Sequence, residues 1–187
     1  MGRQLRNLDP DNTHHVYSRC IDNQFLLRKG KVKKIFCNIL KKSQKKFKYE
    51  LNFFMIMDNH FHFAITTRPE GATLDRIMQY IKSKFARTYN KMYNRTGPFW
   101  NERYKDKIIA CARKAGQYFN ILMVYLGFNP VKANIVKHPG QYKYSSYNDY
   151  MGGRNPLGID IKIHPLFDAE LVKSIVEMRF AYYGTTD

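Results

Sequence analysis

The stretch KYELNFFMIMDNHFHFAITT, residues 48–67, decides how this chain folds. Residues 48–57 are apolar and aromatic, and residues 60–67 alternate between polar and apolar side chains. Asp58-Asn59 lies between them, and two β-prone runs joined by such a pair predict an antiparallel hairpin with a tight turn. We therefore expect a β-hairpin near the middle of the sequence.

The segments on both sides of this hairpin extend it into a larger α+β unit. Apolar residues recur at strand spacing in residues 13–21 and 103–112, which predict two further strands. They recur at helical spacing in residues 26–47, 73–94 and 114–128, which predict three helices. Together with the hairpin, the order βαββαβ is typical of a ferredoxin-like sandwich, an antiparallel sheet with helices on one face. That fold hosts many functions and identifies none.

The length of 187 residues is that of one domain. We expect residues 1–152 to form it and residues 153–187 to be a C-terminal extension packed on the same domain, with a helix over residues 168–182. No apolar run approaches the length of a membrane span, so we expect a cytoplasmic protein without a membrane partner. Cys20, Cys37 and Cys111 fit neither a disulfide framework nor a zinc pattern, and we expect buried, reduced thiols.

The charge balance indicates a polyanionic partner. The chain has 32 Lys and Arg against 15 Asp and Glu, a formal net charge of +17. It also has 13 Phe, 14 Tyr and one Trp, and aromatic rings beside cations can stack unpaired bases. This combination favours nucleic acid over a membrane surface.

His60 and His62 are the first candidates for chemistry. Side chains alternate between the two faces of a strand, so both imidazoles leave one face while Phe61 and Phe63 leave the other. Two neutral imidazoles side by side are half of a divalent-metal site. The other reading is a pair of partly exposed strand histidines with no ligand.

A second candidate group lies where the third helix ends, in the stretch YLGFNP, residues 125–130. Tyr125 and Asn129 are four residues apart, so a phenol and an amide oxygen lie on one helical face. Spacing alone does not separate a nucleophile from a core tyrosine, because Tyr118 and Leu122 continue the same stripe.

Four blocks of sequence, in order, resemble those of the REP-associated tyrosine transposases, in the single-tyrosine branch of the HUH endonucleases. Residues 57–62 (MDNHFH) resemble Met-Pro-Asn-His-x-His, with Asp58 where proline is usual. Residues 99–105 (FWNERYK) resemble Phe-Gln-x-Arg-Tyr-Lys. Residues 125–133 (YLGFNPVKA) resemble Tyr-Ile-x-x-Asn-Pro-Val-Arg-Ala, with Gly127 where the family has a larger residue, and YSSY from residue 144 resembles Trp-Ser-Ser-Tyr.

This resemblance implies an enzyme that nicks and rejoins single-stranded DNA near hairpin repeats. It makes Tyr125 the nucleophile, which forms a 5′-phosphotyrosine link. It also implies a divalent metal, Mg²⁺ or Mn²⁺, held by His60, His62 and Asn129. Whether Tyr125 acts with the histidines of its own chain or of a partner in a homodimer stays open.

The implied partner is single-stranded or hairpin DNA. We expect the charges of Arg103, Lys105, Lys82 and Arg87 to contact its backbone. Trp100 either stacks a base or packs inside the protein.

Two other function classes fit part of the pattern. A non-catalytic DNA-binding protein derived from a transposase shares the charge and the fold, but it has no need of His60, His62 and Tyr125 together. An RNA-binding module on the same fold displays paired aromatics on its sheet face, whereas this hairpin displays histidines. We therefore favour the enzyme.

Overall fold

The predicted hairpin forms one half of a four-stranded antiparallel sheet. In the computed structural model, which describes residues 9–109 and 115–184, the strands are β1 (Thr13–Arg19), β2 (Glu50–Ile56), β3 (His60–Thr66) and β4 (Lys105–Ile108). Their order across the sheet is β2-β3-β1-β4, and all pairings are antiparallel. The predicted ferredoxin-like, α+β fold class is confirmed.

Two long helices, α1 (Gly30–Phe47) and α2 (Leu74–Met92), cover one face of the sheet. The core beneath them is aromatic, and contacting rings have centroids 4.4–6.0 Å apart. Its members are Phe36, Phe61, Phe63, Phe85 and Trp100. These rings hold the hairpin against the helices and so give β3 its orientation.

Helix α1 begins at Gly30, later than the predicted residue 26. Leu27 is apolar at helical spacing, but its side chain is fully buried and its backbone N–H donates to Asp58 O at 2.8 Å. That hydrogen bond ties the segment to the hairpin turn. Tertiary structure therefore overrides the periodicity here.

Helix α3 (Ala115–Gly127) crosses the opposite face of the sheet. The Phe119 ring stacks on His164 with centroids 4.6 Å apart, and His164 Nε2 lies 2.9 Å from Thr13 Oγ1 on β1. Tyr150 of the short helix α5 (Tyr147–Tyr150) contacts Phe53 on β2. These contacts cover the end of the face where β1 begins and β3 ends.

The chain beyond α3 returns along β2. It contains α4 (Asn129–Lys132), a 3₁₀ turn (Pro139–Gln141), α5 and α6 (Ala169–Gly184), which packs on α3. Lys162 N donates to Leu51 O at 3.0 Å, and Asn52 Nδ2 donates to Lys162 O at 3.0 Å. The C-terminal helix agrees with its prediction within two residues, while the four-residue helices are too short to show periodicity.

Three predictions fall partly outside the described residues. The fourth strand, predicted over residues 103–112, is Lys105–Ile108; Cys111 and Lys114 lie in the stretch 110–114, which is not described. Cys20 and Cys37 are buried free thiols, and burial raises the pKa of each to about 12. Among the described residues, no helix is both long and apolar enough to cross a membrane.

Candidate active site

His60 and His62 lie side by side on the face of the sheet opposite α1 and α2. Their ring centroids are 5.1 Å apart. Asn59 Oδ1 lies 2.6 Å from His60 Nδ1, and His15 Nε2, on β1, lies 3.0 Å from His62 Nδ1. Each candidate histidine therefore uses its Nδ1, and within residues 9–109 and 115–184 neither Nε2 makes a hydrogen bond.

All three histidines are neutral near pH 7. Burial lowers the pKa of His60 to about 4, assisted by the charge of Arg19. Burial also lowers the pKa of His15 to about 4 and the pKa of His62 well below its usual value. Because an amide oxygen only accepts, His60 carries its proton on Nδ1 and keeps a lone pair on Nε2.

This donor set fits a divalent metal ion. Neutral imidazole nitrogens are metal ligands, and a hydrogen-bond partner on the other ring nitrogen is typical of metal-binding histidines. Asn59 and His15 are such partners, although sequence analysis missed both. The described residues hold no group of three His, Cys, Asp or Glu side chains able to bind an ion, so further ligands would be amide oxygen, DNA or water.

Tyr125 lies on α3 and is 42 % exposed. The Lys132 ammonium lies 4.9 Å and the Arg179 guanidinium 5.8 Å from its ring centroid. Tyr118, one heptad earlier, is partly buried, with Lys107 Nζ 4.5 Å from its ring centroid. The two tyrosines therefore share a helix side but differ in exposure and neighbours.

Asn129 is the first residue of α4 and is partly buried. Helix α3, which carries Tyr125, packs on the same side of the sheet as the histidines. In the described part of the chain, however, no hydrogen bond or ring contact joins Tyr125 or Asn129 to His60 or His62. The structure thus brings the two histidines together, and the described residues show no hydrogen bond or ring contact that joins them to the tyrosine or the asparagine.

Arg19 is a cation beside the histidines that sequence analysis missed. It faces His60 across the β1–β3 pairing, and among the described residues its one side-chain hydrogen bond is to Asn23 Oδ1, at 3.4 Å. It lines a cavity of about 410 Å³ together with Arg103 and Lys105. The alternation of β1, which puts Arg19 on the face of His15, was the signal that could have identified it.

Arg103 and Lys105 are exposed, as a DNA contact requires, but both have acidic partners. Arg103 Nη2 lies 2.5 Å from Asp75 Oδ1, and Lys105 Nζ lies 3.0 Å from Glu102 Oε1. Each carboxylate offsets part of the positive potential that a phosphate would meet. Arg19, which has no such ion pair in the described residues, is the stronger phosphate candidate in this cavity.

The other predicted DNA contacts differ in their exposure and in their hydrogen bonds. Arg87 is exposed on α2. Lys82 donates to Ser18 Oγ at 2.7 Å and to Glu102 O at 2.6 Å, so internal hydrogen bonds already hold its ammonium. Trp100 is only 9 % exposed, packs in the aromatic core and donates from Nε1 to Lys82 O. Of the two roles predicted for Trp100, packing is the one that its burial and ring contacts support, and base stacking stays a prediction.

Both departures from the transposase blocks have partners in the structure. Asp58 Oδ1 lies 2.5 Å from the ammonium of Lys33, whose side chain is buried. A Cβ on Gly127 would lie 2.5 Å from Tyr147 Cδ2, so the bare α-carbon lets the tyrosine ring pack against α3. Each unusual residue therefore fits a specific neighbour in this chain.

Fold and site define a ferredoxin-like protein with two neutral histidines side by side on its sheet. The family model described as "Transposase IS200 like" matches residues 11–116, more than half of the chain. The chain belongs to this family of transposases, which confirms the resemblance found in the sequence.

One solved structure agrees with the family at the level of the fold. A REP-associated tyrosine transposase bound to a REP hairpin superposes with a TM-score of 0.65 at 19 % identity, over 90 % of this chain and 96 % of that one. A putative transposase from Deinococcus radiodurans has a TM-score of 0.46 at 14 % identity, over 67 % and 98 %. No curated protein matches the sequence.

Proposed function

We propose that this transposase nicks and rejoins single-stranded DNA near hairpin repeats through a 5′-phosphotyrosine intermediate. The observation that carries the proposal is the pair His60 and His62 on one sheet face, in which neither Nε2 makes a hydrogen bond to the described residues. In a chain of the IS200-like family, packing alone does not account for this pair, and we assign to it the binding of a metal ion. Tyr125, exposed on the helix that crosses the same face, is the proposed nucleophile.

The proposed step exchanges one phosphate ester for another. The Tyr125 oxygen forms a bond to phosphorus, the bond from phosphorus to the 3′ oxygen breaks, and the phenolic proton ends on that oxygen as a free 3′-hydroxyl. Lys132 and Arg179 near the ring attract the negative charge that develops on the tyrosine oxygen. Because the link keeps the phosphodiester energy, a second 3′-hydroxyl can reverse the step and rejoin the strand.

The residues proposed to hold a divalent ion are His60 and His62, with Asn129 as a further ligand. When bound, the ion supplies Lewis-acid polarisation of the scissile phosphate. Asn59 and His15 keep the two imidazoles in the orientation and protonation state for ligation. Arg19, opposite His60, binds a phosphate oxygen in the adjoining cavity.

The DNA partner is supported by charge and by the relative. The net charge of +17 predicts that affinity falls with salt, with a slope of about −0.7 per phosphate neutralised on single strands. The transposase with the matching fold is described bound to a REP hairpin, so hairpin oligonucleotides are the first substrates to try. A salt-independent affinity would contradict this part of the proposal.

The deciding experiment is incubation with hairpin-bearing oligonucleotides, with and without Mg²⁺ or Mn²⁺, scored for a covalent protein–DNA adduct. Tyr125→Phe keeps the ring and removes the attacking oxygen, so it should bind DNA and form no adduct. Tyr118→Phe is the matched control and should react like the parent. After nuclease digestion, a nucleotide found on a peptide other than that of Tyr125 would reassign the nucleophile, and binding without any adduct would favour the non-catalytic alternative.

A further inference from the structure

A second cavity lies beside the hairpin turn, and none of the residues proposed to hold the metal lines it. Its volume is about 700 Å³, and it is bounded by the loop before α1, the Asp58 turn and the segments after α4 and before α5. Its walls combine apolar and basic side chains. The residues that matter for recognition are Phe25, Arg28, Lys33, Asp58, Ile135 and Lys143.

Phe25 is an unusually exposed aromatic residue on a well-fixed loop. Its side chain is 65 % exposed, while Leu27, two residues on, is fully buried and hydrogen-bonded to Asp58 O. Arg28 N also donates to Phe25 O at 3.1 Å, which closes a backbone turn that begins at Phe25. A ring that is open to solvent and attached to a fixed backbone loses less entropy when a flat ligand stacks on it than a ring on a mobile loop.

The charge of this cavity suits an anion. Lys33 and Asp58 form an ion pair, and so largely cancel each other. Arg28 and Lys143 are exposed, and within the described residues neither is in an ion pair. Two cations thus remain without a counter-charge beside an aromatic ring and the 41 % exposed side chain of Ile135.

We propose that this cavity binds one nucleotide of single-stranded DNA, with its base stacked on Phe25 and its phosphate beside Arg28 and Lys143. The proposal rests on the proposed function and adds a subsite to it. Asp58, in the cavity wall, precedes His60 by two residues, and the Ile135 wall follows the helix of Tyr125. The nucleotide held here is therefore one that flanks the cleaved bond, which gives the enzyme a grip on the strand away from its reacting phosphate.

The test is fluorescence anisotropy with a hairpin oligonucleotide in which each flanking nucleotide is replaced, one at a time, by an abasic site that keeps the phosphate. For the parent protein, one abasic position should weaken binding about tenfold, the size of one lost stacking contact. Phe25→Ala should lose the same factor on intact DNA and should be insensitive to that abasic position. Arg28→Gln should weaken binding and reduce the salt slope by about 0.7.

Tyr182→Ala removes another exposed aromatic residue, 69 % exposed on α6, and should bind like the parent. Equal abasic profiles for the parent and Phe25→Ala would overturn the subsite, as would tighter binding of an RNA strand of the same sequence. The result is independent of cutting. A Phe25-dependent profile without adduct would remove the catalytic proposal and leave the subsite, whereas adduct formation without that profile would do the reverse.

Discussion

The two ends of one sheet face hold histidines in opposite ways. At the end covered by α3 and α5, His164 uses both ring nitrogens: Nε2 lies 2.9 Å from Thr13 Oγ1, and Nδ1 accepts from Leu166 N at 3.1 Å. At the open end, His60 and His62 use only Nδ1 for hydrogen bonds to described residues. The comparison indicates that a histidine is a candidate metal ligand when one ring nitrogen has no hydrogen-bond partner. A histidine with both ring nitrogens hydrogen-bonded has a packing role.

The largest expected effect is at the open end of the sheet face, where His60 and His62 lie. Replacing His60 or His62 with Ala should lower the single-turnover rate of adduct formation about a thousandfold or more, because a Lewis acid contributes several kcal/mol to such a step. DNA affinity, measured by anisotropy, should change less than about twofold, since phosphate contacts dominate it. Parent-like cutting by both variants would place the metal elsewhere.

The next effect tests whether the neighbours of the histidines position them. Asn59→Ala and His15→Phe should each weaken apparent metal affinity about 10- to 100-fold, as loss of an orienting partner does. Raising the metal concentration should restore the full adduct yield of these two variants, because both proposed histidine ligands are still present. Asn38→Ala, an exposed asparagine on α1, is the control, and unchanged metal dependence in Asn59→Ala would remove the positioning role.

At the covered end, the expected effect is on stability and not on chemistry. His164→Ala leaves the Leu166 N–H unpaired and removes the stacking on Phe119, so the free energy of unfolding should fall by about 1–3 kcal/mol. Urea denaturation measures this, and adduct formation per folded molecule should stay near that of the parent. A His164 variant that remains folded but loses cutting would contradict the structural role assigned to His164.

The last prediction compares two glycines of α3, the helix that connects these regions, and the smallest expected effect is at Gly116. In Gly127→Ala, the added Cβ would lie 2.5 Å from Tyr147 Cδ2. The free energy of unfolding should therefore fall by about 1–3 kcal/mol. At Gly116 the nearest atoms to an added Cβ are 3.9 Å away, so the alanine fits. Gly116→Ala should raise the free energy of unfolding by about 0.5 kcal/mol, because alanine lowers the conformational entropy of the unfolded chain. Melting temperatures that shift the same way in both variants would contradict the packing at Gly127.

Local pattern was sufficient to predict the elements of the fold. The alternation in residues 60–67 and the turn pair Asp58-Asn59 predicted β3 and the faces of its side chains, and the bounds of β3 agree within one residue. The start of α1 was wrong because the hydrogen bond from Leu27 to Asp58 is a contact between distant segments. Such contacts leave no periodic trace in the sequence.

For the site, the sequence by itself determined that His60 and His62 share a face, because strand geometry alternates side chains whatever surrounds the strand. It also determined the strong positive charge. Only the tertiary structure decided which cations remain without acidic partners, that Trp100 packs inside, and that Asn59 and His15 occupy the Nδ1 atoms of the two histidines. Those outcomes depend on which side chains the folded sheet, helices and loops bring within hydrogen-bond or ion-pair distance, and residue spacing along the chain does not specify that.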